Sequence, residues 1–189
     1  MIFRYFHTIR YLKFKQIYHR IWFHLIKQTI RENPQIHIRV LENKFCPPIK
    51  KRISLIKENT FNFLNKSQSL LDVGWNDNRN ITTKLWRYNQ HYFDDLNAVD
   101  SFKRKVWHDQ LLENWISKNS LGKGIGWDPY PTSIRIVNWV KWCLQGNKLS
   151  DASLQSLALQ ANWLNKRIEW HILGNHLFSN AKALIFAGL

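Results

Sequence analysis

The sequence of 189 residues has only two cysteines, Cys46 and Cys143, and no long apolar run. Two cysteines exclude a disulfide framework, and neither lies in a zinc-site spacing. No apolar run approaches the ~18 residues of a transmembrane helix. Acidic residues are also scarce, 13 against 28 lysines and arginines, which gives a net charge of +15. These absences leave a basic globular chain of about one domain, since ~150 residues are typical of a domain.

Aromatic residues, in contrast, are abundant: the chain has 10 Trp, 6 Tyr and 11 Phe. Aromatic faces fill cores, but they also stack on sugars and on nucleic-acid bases. The composition therefore gives a first indication of a binding function.

Basic residues are concentrated at the start of the chain. Residues 1–57 carry a net charge of +11, and the remainder carries only +4. Residues 1–28 mix basic and aromatic side chains without Gly or Pro, and Ile17, Ile21 and Leu25 recur every four residues, which predicts an amphipathic helix. Charges interrupt every candidate signal-peptide core. We therefore expect the protein in the cytoplasm or at the periphery of the inner membrane.

Three interpretations are open for residues 1–28. The helix could pack on its own domain and leave a basic face in solvent. It could instead bind an anionic membrane surface, which the mixture of basic and aromatic side chains also fits. Nucleic acid is the least favoured partner, because no helix-turn-helix, RNP or zinc-finger pattern accompanies the basic residues.

The rest of the chain indicates mainly helices. Residues 53–73 alternate only in places and could be a strand or irregular structure. A helix is predicted to end near Lys118, and its candidate buried residues are Phe102, Val106, Leu111 and Trp115. The predicted helix caps are Asp100 or Ser101, Thr132 or Ser133, Ser150, and Asn175. Helices of this length joined by short loops predict antiparallel helical hairpins.

The helix predicted over residues 134–145 carries polar and aromatic residues on one side. At about 100° per residue, the residues within about 100° of one another are Arg135, Asn138, Trp139 and Trp142. A guanidinium and an amide between two indoles suit the binding of an acidic sugar. The alternative is that the indoles pack on a neighbouring helix while Arg135 pairs with a carboxylate.

Two other segments combine hydrogen-bonding groups with aromatic or charged ones. Residues 86–95 are dense in both kinds of group. Asn175 and His176 are adjacent at a predicted helix N-terminus, where backbone N–H groups favour an anion, although Asn is also common there as an N-cap. His171 and His176 are separated by a helix break and do not indicate a metal pair. We expect neither a metal nor a cofactor.

Three separated motifs together resemble the N-terminal helical domain of the heparinase II/III family. They are Leu85-Trp-Arg-Tyr-Asn-Gln-His-Tyr-Phe93, Gly126-Trp-Asp-Pro-Tyr-Pro-Thr-Ser-Ile-Arg-Ile-Val-Asn-Trp139 and Gly174-Asn-His-Leu-Phe-Ser-Asn-Ala-Lys-Ala-Leu184. The resemblance covers about residues 55–189, and the motifs occur in the family's order. The family includes relatives of alginate lyases and proteins of bacterial surface-polysaccharide gene clusters.

The resemblance implies a polysaccharide lyase that cleaves uronic-acid glycosides by β-elimination. The C5 proton of a uronate is hard to remove while the carboxylate keeps its charge, so a neutralising group must stabilise the enolate-like transition state. By the match to the family, Asn175 is this neutraliser and His176 assists it. The candidate substrate-binding residues are Trp86, Tyr88, Asn89, His91, Trp127, Tyr130, Arg135, Asn138, Trp139 and Trp142.

The resemblance also implies an all-α fold: an incomplete (α/α) toroid of antiparallel hairpins over residues 53–189, preceded by a basic helical arm over residues 1–52. The family's catalytic base and acid come from later segments, so we expect a truncated lyase that is inactive alone. The expected partners are an acidic polysaccharide and a separately encoded C-terminal portion. The alternative is a non-catalytic helical module that binds an anionic glycan or a membrane surface in surface-polysaccharide assembly.

Overall fold

The computed structural model describes residues 10–26, 34–39, 45–76 and 81–188. These residues form seven α-helices and three short strands. The helices are α1 (Phe14–Leu25), α2 (Leu70–Val73), α3 (Lys84–Gln90), α4 (Lys105–Lys118), α5 (Pro129–Leu144), α6 (Asp151–Lys166) and α7 (Gly174–Ala187). The strands are β1 (Leu55–Lys57), β2 (Thr60–Phe63) and β3 (Lys66–Ser69). Three 3-10 turns lie at Asp94–Asn97, Ser101–Arg104 and Ile125–Trp127.

The prediction of an all-α toroid is wrong, because the described part of the chain contains a three-stranded antiparallel sheet in the order β1-β2-β3. The register pairs Phe61 with Gln68 and Phe63 with Lys66. Phe61 and Phe63 are buried while Asn62 between them is exposed, as expected for a strand with one covered face. The strand alternative for residues 53–73 therefore holds over Leu55–Ser69, in three strands, while Leu70–Val73 form α2, and the fold is mixed.

The helical part is built around α5, which packs against both α6 and α7. Six of the ten tryptophans are buried, and all six belong with Phe93 to one aromatic core: Trp75, Trp86, Trp115, Trp127, Trp139 and Trp142. Ring contacts of this kind stabilise a core beyond the area they bury. Most of the tryptophans therefore belong to the core.

The helix boundaries agree with the predictions where the signal is local. Ser150 caps α6, and its hydroxyl accepts a hydrogen bond from the Ser153 N–H at 3.3 Å. In α4, Leu111 and Trp115 are buried as predicted, whereas the prediction for Phe102 and Val106 is wrong, because both are exposed. The prediction that α5 begins at residue 134 is also wrong: it begins at Pro129, a residue favoured in the first helical turn.

A buried carboxylate, Asp95, joins the sheet to the helices. Its Oδ1 accepts the backbone N–H groups of Ser54 and Leu55 at 2.8 and 3.0 Å. Its Oδ2 accepts Arg104 Nε at 2.7 Å and pairs with His108 Nε2 at 2.8 Å. Burial alone raises the pKa of Asp95, but the hydrogen bonds outweigh burial and hold it at about 2. The ionised carboxylate is thus part of the fold.

The helix α1 lies on the chain segment between α6 and α7. Arg167 Nη1 donates to the Phe23 carbonyl at 3.0 Å, and its guanidinium stacks over the Phe23 ring at 3.6 Å. The ring of Phe23 also contacts His171, with centroids 4.5 Å apart. The predicted amphipathic helix is therefore present over Phe14–Leu25, while the rest of residues 1–28 lies outside the described part of the chain except residues 10–13 and 26. Within the described ranges, no helix combines the length and the apolar character needed to cross a membrane.

Candidate functional site

A cleft of about 530 Å³ lies between α3, the first turn of α5, the α6–α7 connection and α7. Its polar lining consists of Lys84, Tyr88, Asp128, Glu169, His171 and His176, and Phe23 of α1 closes one side. Each of the three motifs that carry the family resemblance supplies at least one of these residues. Titratable groups from distant parts of the sequence therefore meet in one concave site.

His176 is fixed in this cleft by a carboxylate. Its Nδ1 lies 3.1 Å from Glu169 Oε2, and the two side chains are 35% and 7% exposed. Because an ionised carboxylate only accepts hydrogen bonds, Nδ1 carries the proton and Nε2 remains for a ligand. The ring of Tyr130 packs against the imidazole with centroids 4.5 Å apart. Both contacts restrict the orientation of His176.

Glu169 is in turn held by Asn180, which is fully buried. The Asn180 Oδ1 accepts the Glu169 backbone N–H at 2.8 Å, and Nδ2 donates to Glu169 Oε2 at 3.3 Å. The same Nδ2 donates to Ser133 Oγ at 2.9 Å. Burial raises the pKa of Glu169, while His176 and Asn180 act in the opposite direction. A chain of hydrogen bonds thus runs from α5 through α7 to the imidazole in the cleft.

A second carboxylate, Asp128, accepts a short hydrogen bond from the Tyr88 hydroxyl. Burial, followed by the contact with Asp128, raises the pKa of Tyr88, so this phenol stays protonated at neutral pH. The Lys84 ammonium lies 3.8 Å from Asp128 Oδ2 and 5.0 Å from the Tyr88 ring centroid. Lys84 is 65% exposed and therefore free to turn toward an anionic ligand.

His171 lies on the same side of the cleft as Phe23. Burial, followed by the nearby positive charges of Arg20, His24 and Arg167, lowers the pKa of His171 to about 4. The imidazole is consequently neutral at pH 7 and adds no charge to the cleft. Among the described residues, no group of three or more His, Cys, Asp or Glu side chains is placed to hold a metal ion.

Arg135 does not face the cleft. It is fully buried, with its Nε bonded to Gln160 Oε1 at 2.8 Å and its Nη1 to the Gly126 carbonyl at 2.8 Å. Its guanidinium stacks over the Trp115 ring at 3.9 Å. Arg135 was expected either to bind an acidic sugar or to pair with a carboxylate, and neither expectation describes this arrangement. It binds carbonyl and amide oxygens and pairs with no carboxylate among its described contacts. The residue connects loops inside the core.

Other predicted substrate-binding residues are also buried. Their partners are internal: Asn138 donates to the Tyr92 carbonyl at 2.7 Å, and Trp127 donates to the Asn119 carbonyl at 3.2 Å. Trp86 donates to the Lys66 carbonyl at 2.9 Å. The indoles of Trp139 and Trp142 are buried in the aromatic core, as the packing alternative expected. Burial does not agree with direct contact between these five side chains and a polysaccharide.

His91 is buried as well, and its two ring nitrogens have different roles. Nδ1 accepts the Trp115 indole N–H at 2.9 Å, and Nε2 lies 3.0 Å from the Trp75 carbonyl. Burial, followed by the charge of Arg135, lowers the pKa of His91 to about 3. A neutral imidazole with its proton on Nε2 satisfies both partners.

The remaining predicted site residues lie at the surface. Asn175 is exposed in the first turn of α7 and is not its N-cap, because Leu173 occupies that position with φ of 64°. Asn89 is half-buried and donates to the Leu85 carbonyl at 2.8 Å. Of the predicted site residues, Tyr88 and His176 line the cleft and Tyr130 packs against His176. Asn175 immediately precedes His176 in the first turn of α7.

Sequence reasoning missed Asp128 and Glu169 as site residues. Asp128 belongs to the second of the three motifs, beside Pro129, and Glu169 lies outside the motifs, seven residues before His176. Acidic residues are scarce in this basic chain, and that scarcity was the signal that could have identified Asp128 and Glu169 as site residues.

A larger cavity of about 970 Å³ lies between residues 36–39 and 45–50, α5, α6 and the end of α7. Its lining is mainly aliphatic, with His37, Arg39 and Lys50 as its charged or titratable groups besides Cys143. It contains no carboxylate among the described residues that line it and no pair of groups suited to moving a proton. The smaller cleft is the better candidate for chemistry.

Comparisons of the chain with protein-family models, with curated proteins and with solved structures found no match.

Proposed function

We propose that this chain is the N-terminal portion of a polysaccharide lyase of the heparinase II/III kind, and that its cleft binds a uronate of an acidic polysaccharide. The observation that carries the proposal is the meeting of Tyr88, Asp128 and His176 in one cleft. Each belongs to a different one of the three motifs, and the motifs lie far apart in the sequence. A shared binding site explains why these motifs occur together.

The groups in the cleft suit a carboxylate ligand. Asp128 and Glu169 are both occupied by internal partners, which limits their repulsion of an anion. Lys84 supplies a mobile positive charge at the opening. His176 keeps its Nδ1 on Glu169, so a contact between its Nε2 and the ligand requires no change of ring orientation.

Asn175 extends this site as the proposed neutraliser of the uronate carboxylate. Its amide is exposed in the same helical turn as His176 and is not committed to capping α7. Neutralising the carboxylate makes removal of the C5 proton easier, which is the step that β-elimination requires. The family's base and acid have no counterpart within the three motifs, so we propose that the chain binds substrate and turns none over by itself.

The test uses the full chain with alginate oligosaccharides, and the same oligosaccharides after reduction of their carboxyl groups to alcohols. Titration calorimetry gives the dissociation constants. We expect the acidic form to bind about tenfold or more tightly, as loss of hydrogen bonds to a charged group predicts. Ultraviolet absorbance of unsaturated uronate is expected not to rise above a no-protein control.

Two variants locate the binding, with a third as control. His176→Ala and Asn175→Ala are expected to weaken the acidic ligand about tenfold, whereas His37→Ala, an exposed histidine outside the cleft, leaves it unchanged. Because Asn175 is not a cap, its replacement should not lower the melting temperature. Equal binding of acidic and reduced ligands, or of His176→Ala and wild type, would overturn the proposal.

A further inference from the structure

The outward face of α1 is apolar. Its exposed side chains are Phe14, Tyr18, Ile21, Trp22 and Leu25, and the first and last of these are 83% and 75% exposed. Phe14, Tyr18, Ile21 and Leu25 follow a spacing of four, three and four residues, so they form one continuous stripe along the helix. We call this set the outward stripe.

The opposite face of α1 contacts the rest of the protein. Gln16, His19 and Phe23 are the half-buried positions there, about 180° from the outward stripe. The ring centroids of His19 and Trp170 are 6.0 Å apart, and those of Phe23 and His171 are 4.5 Å apart. The helix is thus fixed with its more polar face inward, the reverse of a helix that packs by its apolar face. The packing interpretation describes part of this arrangement, because α1 contacts its own domain and Lys13, Lys15 and Arg20 are exposed, but the apolar stripe is exposed as well.

Positive charge accompanies the outward stripe. Residues 10–26 contain Arg10, Lys13, Lys15 and Arg20 and no acid. At about 100° per residue, Lys15 lies on one flank of the stripe beside Trp22, whereas Arg20 lies nearer the inward face. The Lys15 Nζ lies 4.0 Å from the Trp170 ring centroid, so this charge is next to the surface where α1 contacts the rest of the protein. Arg20 is exposed.

We propose that α1 is an interfacial helix that inserts the outward stripe into the surface of an anionic lipid bilayer. Aromatic and aliphatic residues suit the headgroup boundary, and the cations of residues 10–26, with no acid among them, suit anionic lipid. Nucleic acid and polysaccharide match the charge but give no reason for an exposed aliphatic stripe. The proposal is independent of the cleft's ligand.

A second copy of the chain fits the stripe less well. The helix has 12 residues and is about 18 Å long and about 10 Å wide. The area of a face with these dimensions is far smaller than the ~800 Å² that each partner of a stable interface buries. Two such helices would also bring their cations together. A bilayer has neither disadvantage, since it adapts to a narrow stripe and carries the opposite charge.

The experiment is flotation of the full chain with vesicles. One set contains equal parts of phosphatidylglycerol and phosphatidylcholine, and the other contains phosphatidylcholine alone. We expect binding to the anionic vesicles to be at least about tenfold stronger than to the neutral ones, since each cation near an anionic surface contributes about fivefold. No binding to anionic vesicles, or equal binding to both, would overturn the proposal.

Matched variants identify the surface responsible. Phe14→Ser is expected to reduce anionic-vesicle binding about tenfold, whereas Phe102→Ser, which removes an equally exposed phenylalanine elsewhere, does not. Lys15→Gln is expected to reduce this binding about fivefold, whereas Lys118→Gln, which has the same net charge, should reduce it less. Circular dichroism verifies the fold of each variant. If Phe14→Ser and Phe102→Ser lose the same amount of anionic-vesicle binding, the outward stripe is not the membrane-binding surface.

Sedimentation of the chain without lipid tests whether a second copy of the chain binds the outward stripe instead. We expect a monomer whose mass does not change in Phe14→Ser. A dimer that Phe14→Ser dissociates would assign the stripe to a second copy of the chain and overturn membrane binding as its role.

Discussion

Replacement of Asp95 by Asn should destabilise the protein more than most single changes. Asp95 is 5% exposed and joins two backbone N–H groups of the sheet to Arg104 and His108. A pKa of about 2 against an ordinary 3.8 corresponds to about 2 kcal/mol of stability, at about 1.4 kcal/mol per unit. Asparagine also leaves Arg104 buried without a counter-charge, and breaking such a pair costs about 3–5 kcal/mol. We therefore expect a loss of about 3 kcal/mol or more.

Urea unfolding followed by circular dichroism at pH 7 measures this loss. The matched control is Asp109→Asn, because the exposed pair of Asp109 with Lys105 at 2.7 Å should contribute less than about 0.5 kcal/mol. Since the folded-state pKa of Asp95 is depressed, its contribution is complete above about pH 4 and is lost as the pH falls toward 2. Wild type and Asp95→Asn should therefore converge in acid. A loss no larger than that of Asp109→Asn at pH 7 would refute the reasoning.

Two further predictions concern His91. Because burial lowers its folded-state pKa to about 3, its stabilising contribution is complete above about pH 6.5 and is lost as the pH falls toward 3. His91 should contribute a fall in the free energy of unfolding of about 1.4 kcal/mol per pH unit in this range. The slope for His91→Gln, which does not titrate, should be smaller by that amount, and equal slopes would contradict the prediction. A Cβ on Gly126 would lie 2.6 Å from His91 Nδ1, so Gly126→Ala should cost about 1–3 kcal/mol in urea unfolding. Gly188→Ala, whose nearest contact is 3.5 Å, should be nearly neutral.

Local signals predicted the helices better than the sheet. The Ser150 cap of α6 and the amphipathic α1 depend on neighbouring residues, so the sequence displays them directly. The strands are three or four residues long and are connected by tight turns at Asn59 and at Leu64–Asn65, all with positive φ. Alternation over so few residues is too weak to distinguish a strand from irregular structure. The all-α prediction failed for this reason.

The candidate site was predictable only in part, because burial depends on distant partners. The residues that give α5 its polar side, Arg135 and Asn138, have partners 44 and 46 positions away at His91 and Tyr92. Helical periodicity shows on which face of the helix these residues lie, but not whether that face is buried or exposed. His176 was predictable because it belongs to a compact motif, while its partner Glu169 required knowledge of the turn that precedes α7.

The docking of α1 sets an order of events during synthesis. Phe23 and Arg167 are 144 residues apart, and Gln16 and His171 are 155 apart. At about 5–20 residues per second, a ribosome needs about 7–30 s to produce the docking segment after α1 has emerged. During that interval both faces of α1 are uncovered. A bilayer near the nascent chain can therefore engage the helix before the rest of the protein exists.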